Sequence, residues 1–334
     1  MNFPAPIIQL IHQCISTVQY QVLFNGNLSS PFLPSQGIRQ GDPLSPFLFI
    51  LAANVLSCSI HQLELEHKWK GIKISSNSNP ISHLLYADDS LFFFEANQDS
   101  VQLVKSTLTQ FCKWSGQDIN HSKSNLIFSP NISNRDKLSY SELLGVKFIQ
   151  RLGKYLGTWV DPGRSKRLIH NHLLETIEKR TSFWQTKLLS QASRLQLIKS
   201  VLASVGIHIM SCSLLPQHVC TQIDARCTDF FWVSTSEQKK MHLVNRNILF
   251  LPKDAGGLGL RPTSLVNKSL LSKQLWRIIS SSSPNTATQP LLLSEVHAKY
   301  ITWTQQDFLR SPYNASWIWK QFLQCSQQIT PHLR

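Results

Sequence analysis

With 334 residues, 42% of them hydrophobic, the chain is long enough to bury a proper core and to hold two or three structural units. Its 33 Lys and Arg against 19 Asp and Glu leave a net charge of +14, which favours a polyanionic partner, nucleic acid first. The seven cysteines are odd in number and form no Cys-x-x-Cys pair, which argues against a disulfide framework and for a reducing compartment.

The charge is uneven along the chain. Residues 1–60 carry one basic side chain, Arg39, and one acid, Asp42, whereas residues 151–210 carry ten Lys and Arg against three acids. A neutral, packed front and a basic back fit a core that folds first and a surface that holds phosphates. The amino terminus has no basic stretch ahead of an apolar run, so no secretory signal is expected. The longest apolar run, Phe47 to Ala53, is bounded by Pro46 and Asn54 and is too short to cross a bilayer, so no membrane contact is expected.

In chain order, Pro6 to Val18 spaces Ile7, Ile8, Leu10, Ile11 and Ile15 as a helix does. Tyr20 to Phe24 reads as a strand, Asn25-Gly26 as a hairpin turn, and Leu28 to Phe32 as the return strand. Gly37-Ile38-Arg39-Gln40-Gly41-Asp42-Pro43-Leu44-Ser45-Pro46 then leads into a helix from Ser45 to His67. Prolines suit a helix's first turn, and Gly41 lets the backbone approach a ligand closely. Arg39 and Gln40 offer donors to phosphates or base edges. An ordinary loop and helix start would share these features.

Strands follow at Ile72–Ile74 and as a hairpin over Leu84–Phe94. At the tip of that hairpin stands Tyr86-Ala87-Asp88-Asp89, with His83-Leu84-Leu85 before it and Leu91-Phe92-Phe93-Phe94 after it. Two adjacent carboxylates cost free energy beside an apolar core and beside each other unless a cation lies between them and a partner. Hard Mg2+, which takes carboxylate and phosphate oxygens, is the natural one. The competing reading is a plain turn, where Asp is common.

Val101 to Trp114 is helical by spacing, Asn125 to Phe128 a strand, and Lys137 to Leu144 a short helix. Ser165 to Cys212 continues as helices, and residues 213–280 as helices and loops with a Gly-rich turn at Gly256-Gly257. Ser280-Ser281-Ser282-Ser283-Pro284 reads as a linker. Residues 290–334, with Trp303, Trp317 and Trp319, look partly packed. His208, Cys212, His218, Cys220 and Cys227 gather in sequence, but their spacings fit no usual structural zinc site.

Taken together, the Gly41 loop and the Asp88 hairpin resemble the reverse transcriptases of non-LTR (LINE-type) retrotransposons, especially those of plants. Arg39 to Pro46 looks like that family's B motif and Tyr86-Ala87-Asp88-Asp89 its C motif. Downstream, Ile119-Asn120-His121-Ser122-Lys123-Ser124 is similar to the D motif. Lys154-Tyr155-Leu156-Gly157 looks like the E motif, or primer grip, and Pro252 to Leu260 resembles a segment carried after the thumb. The B, C and E matches in sequence order are specific where any one alone would be weak.

The resemblance implies an α+β fold. Residues 1–160 would form a partial right-hand polymerase palm, an antiparallel sheet with helices on one side. Residues 161–280 would form an all-α thumb and post-thumb region, and 281–334 a linker and a carboxy-terminal segment with no assigned role. It implies an RNA-directed DNA polymerase acting on an RNA template and a DNA primer, with Mg2+ as cofactor, in the nucleus. Asp88 and Asp89 would ligate metal, Asp88 foremost. Arg39, Gln40, Gly41 and Tyr86 would contact template and incoming nucleotide. Lys123 would donate a proton to the leaving pyrophosphate. Tyr155, Leu156 and Gly157 would grip the primer, and Arg164, Lys166, Arg167, Lys179 and Arg180 would meet phosphates.

The family's metal set also takes an Asp from its A motif, closing a strand of the form apolar-x-Lys-Ala-aromatic-Asp. Residues 1–41 contain no Asp or Glu, and Glu64 and Glu66 end a helix. The expectation is therefore a truncated, catalytically incomplete domain that does not polymerise alone. The alternative is a non-catalytic nucleic-acid-binding remnant, whose binding would fall steeply with salt and ignore Mg2+.

Overall fold

The computed structural model describes residues 3–76, 78–160, 165–184, 189–233, 241–280, 291–300 and 315–326. The chain divides into two units, residues 1–73 with 79–150, and residues 74–78 with 151–334.

In the first unit, α1 (Ala5–Ser16) starts after Pro4, and none of its residues is buried. Strands β1 (Leu23–Phe24) and β2 (Asn27–Leu28) pair around Asn25-Gly26. Those two residues have φ of 48° and 82°, as a type I′ turn requires. The pair is extended by a Tyr20–Phe32 bridge with the two rings stacked. Helix α2 (Ser45–Leu65) carries Pro46 in its first turn and buries Leu56 and Ile60. It packs on α3 (Gln98–Ser115), which buries Val101 and Val104. Helix α3 is capped at both ends: the Asn97 side chain accepts the Ser100 N–H at 2.8 Å, and Gly116 closes it in the left-handed region. Between α2 and α3 lies the antiparallel hairpin β3 (His83–Tyr86) and β4 (Asp89–Phe92). Strand β5 (Asn125–Leu126), helix α4 (Asn134–Leu144) and strand β6 (Lys147–Phe148) complete the unit, with β5 and β6 parallel.

Two expectations change here. Among the described residues the strands form four separate two-stranded sheets rather than one antiparallel sheet. Most strands are only two residues long, so each offers few ladder bonds. The expected strand at Ile72–Ile74 shrinks to a bridge between Ile72 and Ile81, because the amides of Ile74 and Ser75 donate instead to the Ser78 hydroxyl. Second, α2 is long and apolar enough to cross a membrane by length and composition alone, with a mean hydropathy of 1.5. Asn54, Ser57 and Ser59 interrupt its apolar run, but the Phe, Leu, Ile and Val residues on either side keep its mean hydropathy high.

The second unit opens with the hairpin β7 (Lys154–Tyr155) and β8 (Thr158–Trp159). Its other described elements are helical: α5 (Ser165–Phe183), α6 (Gln191–Ser200), α7 (Ile207–Cys212), α8 (Gln217–Trp232), α9 (Arg246–Leu249), α10 (Thr263–Ser280), α11 (Leu291–Tyr300) and α12 (Trp317–Ser326). Leu173, Ile177, Ile198, Leu202, Val219, Ile223 and Phe230 form one core around α8. Leu271, Leu275, Ile278, Val296, Trp319 and Phe322 form a second around α10. Each such side chain contributes about 1.5–3 kcal/mol on burial. Polar ties join the helices. Asp224 of α8 accepts both the N–H and the hydroxyl of Thr263 at the start of α10. Asn267 donates to the carbonyls of Met210 and Ser213 and accepts the Leu215 N–H. The expected linker lies outside the described residues from Ser281 onward, as does Trp303. Trp319 stacks on Tyr300 with ring centroids 4.8 Å apart.

Candidate functional site

The β3–β4 hairpin places its carboxylates by simple strand chemistry. Leu84 pairs with Leu91, Leu85 with Ser90 and Tyr86 with Asp89, leaving Ala87-Asp88 as a two-residue turn. Ala87 sits at φ 49°, a left-handed conformation that costs a residue with a Cβ about 1–2 kcal/mol. Asp88 thus stands at the apex and Asp89 begins the return strand. Tyr86, Asp88 and Asp89 are all exposed. Among the described residues neither carboxylate makes a hydrogen bond or ion pair.

The strained tip rises from a base tied to its surroundings. The Trp69 indole, 3% exposed, donates to the Phe93 carbonyl at 3.0 Å and meets Phe92 and Phe94 edge-on. The Phe93 N–H donates to the Ser82 carbonyl at 2.7 Å. His83 lies between two hydroxyls, Ser57 at 2.7 Å from Nε2 and Ser82 at 2.9 Å from Nδ1. Burial pushes the His83 imidazole below its usual pKa, so it stays neutral and can donate from one nitrogen while accepting at the other. Sequence reading missed these supports. Trp69 stands among charged residues with no periodic signal, and His83 looked only like the start of a strand.

The Gly41 loop is built locally. Gly41 has φ 88°, and the Asp42 carboxylate accepts the Leu44 N–H at 2.8 Å. The Ser45 hydroxyl donates to the Arg39 carbonyl at 2.6 Å, pinning the loop to the start of α2. Arg39 and Asp42 line a shallow groove with Ile15 and Val18 near the end of α1 and with Tyr20 and Leu48. Arg39, Gln40 and Gly41 are exposed.

The other candidates fall elsewhere. Lys123 occupies an exposed turn, its N–H on the Asn120 carbonyl. Tyr155, Leu156 and Gly157 form the β7–β8 hairpin in the second unit, with Leu156 and Gly157 at φ 48° and 77°. Lys179 and Arg180 are exposed near the end of α5. Lys166 and Arg167 lie in the first turn of α5 with side chains outside the described set, and Arg164 lies outside the described residues. Of the gathered cysteines, Cys220 and Cys227 are buried in the helical core, which pushes their thiols up to about 11 and about 12. Among the described residues no three His, Cys, Asp or Glu side chains gather so as to hold a metal ion.

Residues 1–160 match the family described as reverse transcriptase (RNA-dependent DNA polymerase). The chain is 42% identical over 111 residues to a putative ribonuclease H protein of Arabidopsis thaliana, covering 33% of this chain and 18% of that protein. It is 24% identical over 268 residues to the transposon TX1 uncharacterized 149 kDa protein of Xenopus laevis, covering 78% of this chain and 19% of that one. A third relative is the retrovirus-related Pol polyprotein from type-1 retrotransposable element R2 of Popillia japonica. There the identity is 34% over 89 residues, covering 27% of this chain and 12% of the relative. This chain therefore spans under a fifth of the length of each of these three relatives. Two of the three relatives are thus proteins of a transposon and of a retrotransposable element.

Proposed function

We propose that the first unit is part of a reverse transcriptase palm, with Asp88 and Asp89 as its metal-ligating pair, and that the helices of the second unit serve as the thumb. The observation that carries this reading is the pair of exposed, unpaired carboxylates held at a strained tip above a packed base. Hard oxygen donors of this kind suit Mg2+, which is commonly bound by one or two carboxylates with waters and substrate phosphates. When bound, the ion supplies electrostatic stabilisation as a primer 3′-hydroxyl attacks the α-phosphate of a nucleotide. Asp88 would hold it directly and Asp89 would support that ligand from the first position of β4. Arg39, which lines the groove, and the adjacent Gln40 and Gly41 position template and nucleotide. Lys123 hands a proton to the departing pyrophosphate, and Tyr155 to Gly157 hold the primer strand.

Two carboxylates do not complete a two-metal set, and no third gathers with them among the described residues. Losing one ligand of such a site costs about 4 kcal/mol of barrier lowering, about a thousandfold in rate. Residues 1–334 are thus expected to polymerise only when a further carboxylate is brought to the hairpin tip. The test is primer extension with the purified chain, Mg2+ and a homopolymer template, against Asp88→Ala. No incorporation above that control is expected. Clear incorporation that Asp88→Ala removes would overturn the incomplete metal set while keeping Asp88 as its ligand. A second reading, nucleic-acid binding without catalysis, draws on the net charge of +14. Salt-sensitive binding that ignores Mg2+ would favour it.

A further inference from the structure

The loop after α9 is pinned by its own amides. The N–H of Gly257 donates to Pro252, that of Leu258 to Leu249 and that of Gly259 to Leu251, at 2.9–3.1 Å. A Cβ on Gly257 would lie 2.1 Å from the Leu251 carbonyl oxygen, so no other residue fits without moving the backbone. With these amides spent on the loop itself, the groups it presents are side chains. Lys199 reaches across from α6 and donates its Nζ to the Leu258 carbonyl at 2.5 Å. A Cβ on Gly259 would lie 3.6 Å from that Nζ and 3.5 Å from Cγ of Lys253, so the Lys199 ammonium and the stem of Lys253 both border Gly259.

We propose that Lys199 and Lys253 form a phosphate-binding pair over Gly259 that takes a phosphodiester of a nucleic-acid backbone. This rests on the nucleic-acid reading above and adds to it two contact residues that reading does not name. The Lys199 ammonium feels the positive charge of Lys253, a repulsion that an anion between them would relieve. Among the described residues neither makes an ion pair. Asp254, next to Lys253, is exposed and bonds to neither. Burial, and after it the charge of Lys253, lower the proton affinity of Lys199. Lys199 uses one of its three N–H donors on Leu258 and keeps two, while Lys253 keeps all three. The non-bridging oxygens of one phosphodiester can accept from both. The rigid loop holds Lys199 in place, which reduces the side-chain entropy lost on binding.

The experiment measures binding of the full chain to a fluorescent RNA/DNA hybrid duplex over a salt series. Lys253→Gln removes a side chain with no internal partner, so folding is not at stake. It is expected to weaken binding about tenfold near 0.1 M salt and to flatten the log–log salt slope by about one. Lys199→Gln should do the same, with an unchanged thermal midpoint showing that the loop survives. Lys253→Arg should retain the slope. Lys268→Gln, an exposed lysine on α10, is the control and should change neither quantity. If Lys253→Gln behaves like the control, the pair is only a strut for the loop, and the nucleic-acid reading stands without it. If the unaltered chain binds no duplex, both readings fall.

Discussion

The two units reach order by different means. In the first, α1 buries nothing, and Leu10, Phe24, Phe47 and Ile50 are 61–74% exposed. Its core rests on a few side chains, Leu56, Ile60, Trp69 and Val104. In the second, two full clusters surround α8 and α10, and buried polar hubs such as Asn267 fix how the helices meet. The metal-ligand candidates sit on the sparsely packed unit and the phosphate-binding candidates on the densely packed one. Local ties such as Trp69 and His83 therefore matter more to the hairpin than bulk burial does, whereas the helices depend on the sum of their cores.

The sharpest break of this contrast pairs one core position with one surface position. Leu275 is fully buried in the α10 cluster, and Leu275→Ala should cost about 2–5 kcal/mol. Phe47, 65% exposed at the start of α2, should tolerate Phe47→Ser within about 0.5 kcal/mol. Chemical denaturation of both variants decides it. A large loss at Phe47 would mean that the front face is covered after all.

Trp69→Phe comes next in size. It keeps an aromatic ring against Phe92 and Phe94 but deletes the indole donor to the Phe93 carbonyl. Leaving that acceptor unmade should cost about 1–2 kcal/mol. The loss should appear as faster amide exchange across the β3–β4 hairpin, with the α8 and α10 helices unaffected. Equal acceleration in both units would show that the hairpin is not held by this local tie.

What could be read in advance divides along the same line. Asn25-Gly26 was legible because its turn demands φ > 0 at both residues, which that dipeptide supplies at least cost. Asp88 was legible as a hairpin apex because strand formers flank it on both sides. The spans of α1 to α4 were legible from spacing, to within a few residues at their ends, whereas the second unit read only as helical stretches; α3 begins earlier than its apolar pattern, at the Asn97 cap. The missed features depend on distant partners. Trp69 meets Phe93 across 24 residues, His83 meets Ser57 across 26 and Lys199 meets Leu258 across 59. Periodicity reports which face of an element is apolar, not what lies against it. For the same reason the single sheet expected from strand patterns is four separate pairs among the described residues.

The smallest effect expected is a pH dependence seated at the hairpin base. Burial is the main cause of the lowered His83 pKa, with His61 adding to it and Glu64 opposing it. Below about 6.5, its ordinary value, the unfolded chain takes up a proton at this position that the folded chain resists. The imidazole thus contributes stability in full above about pH 6.5, and that contribution is lost as pH falls through the lowered native value. His83→Gln can keep a hydrogen bond to Ser57 and removes the titration. Its thermal midpoint should fall less than that of the unaltered chain between pH 7.5 and 5, and the difference should vanish above neutrality. The same drop in both proteins would mean that His83 titrates freely. The hairpin would then owe its footing to Trp69 and the strand pairing alone.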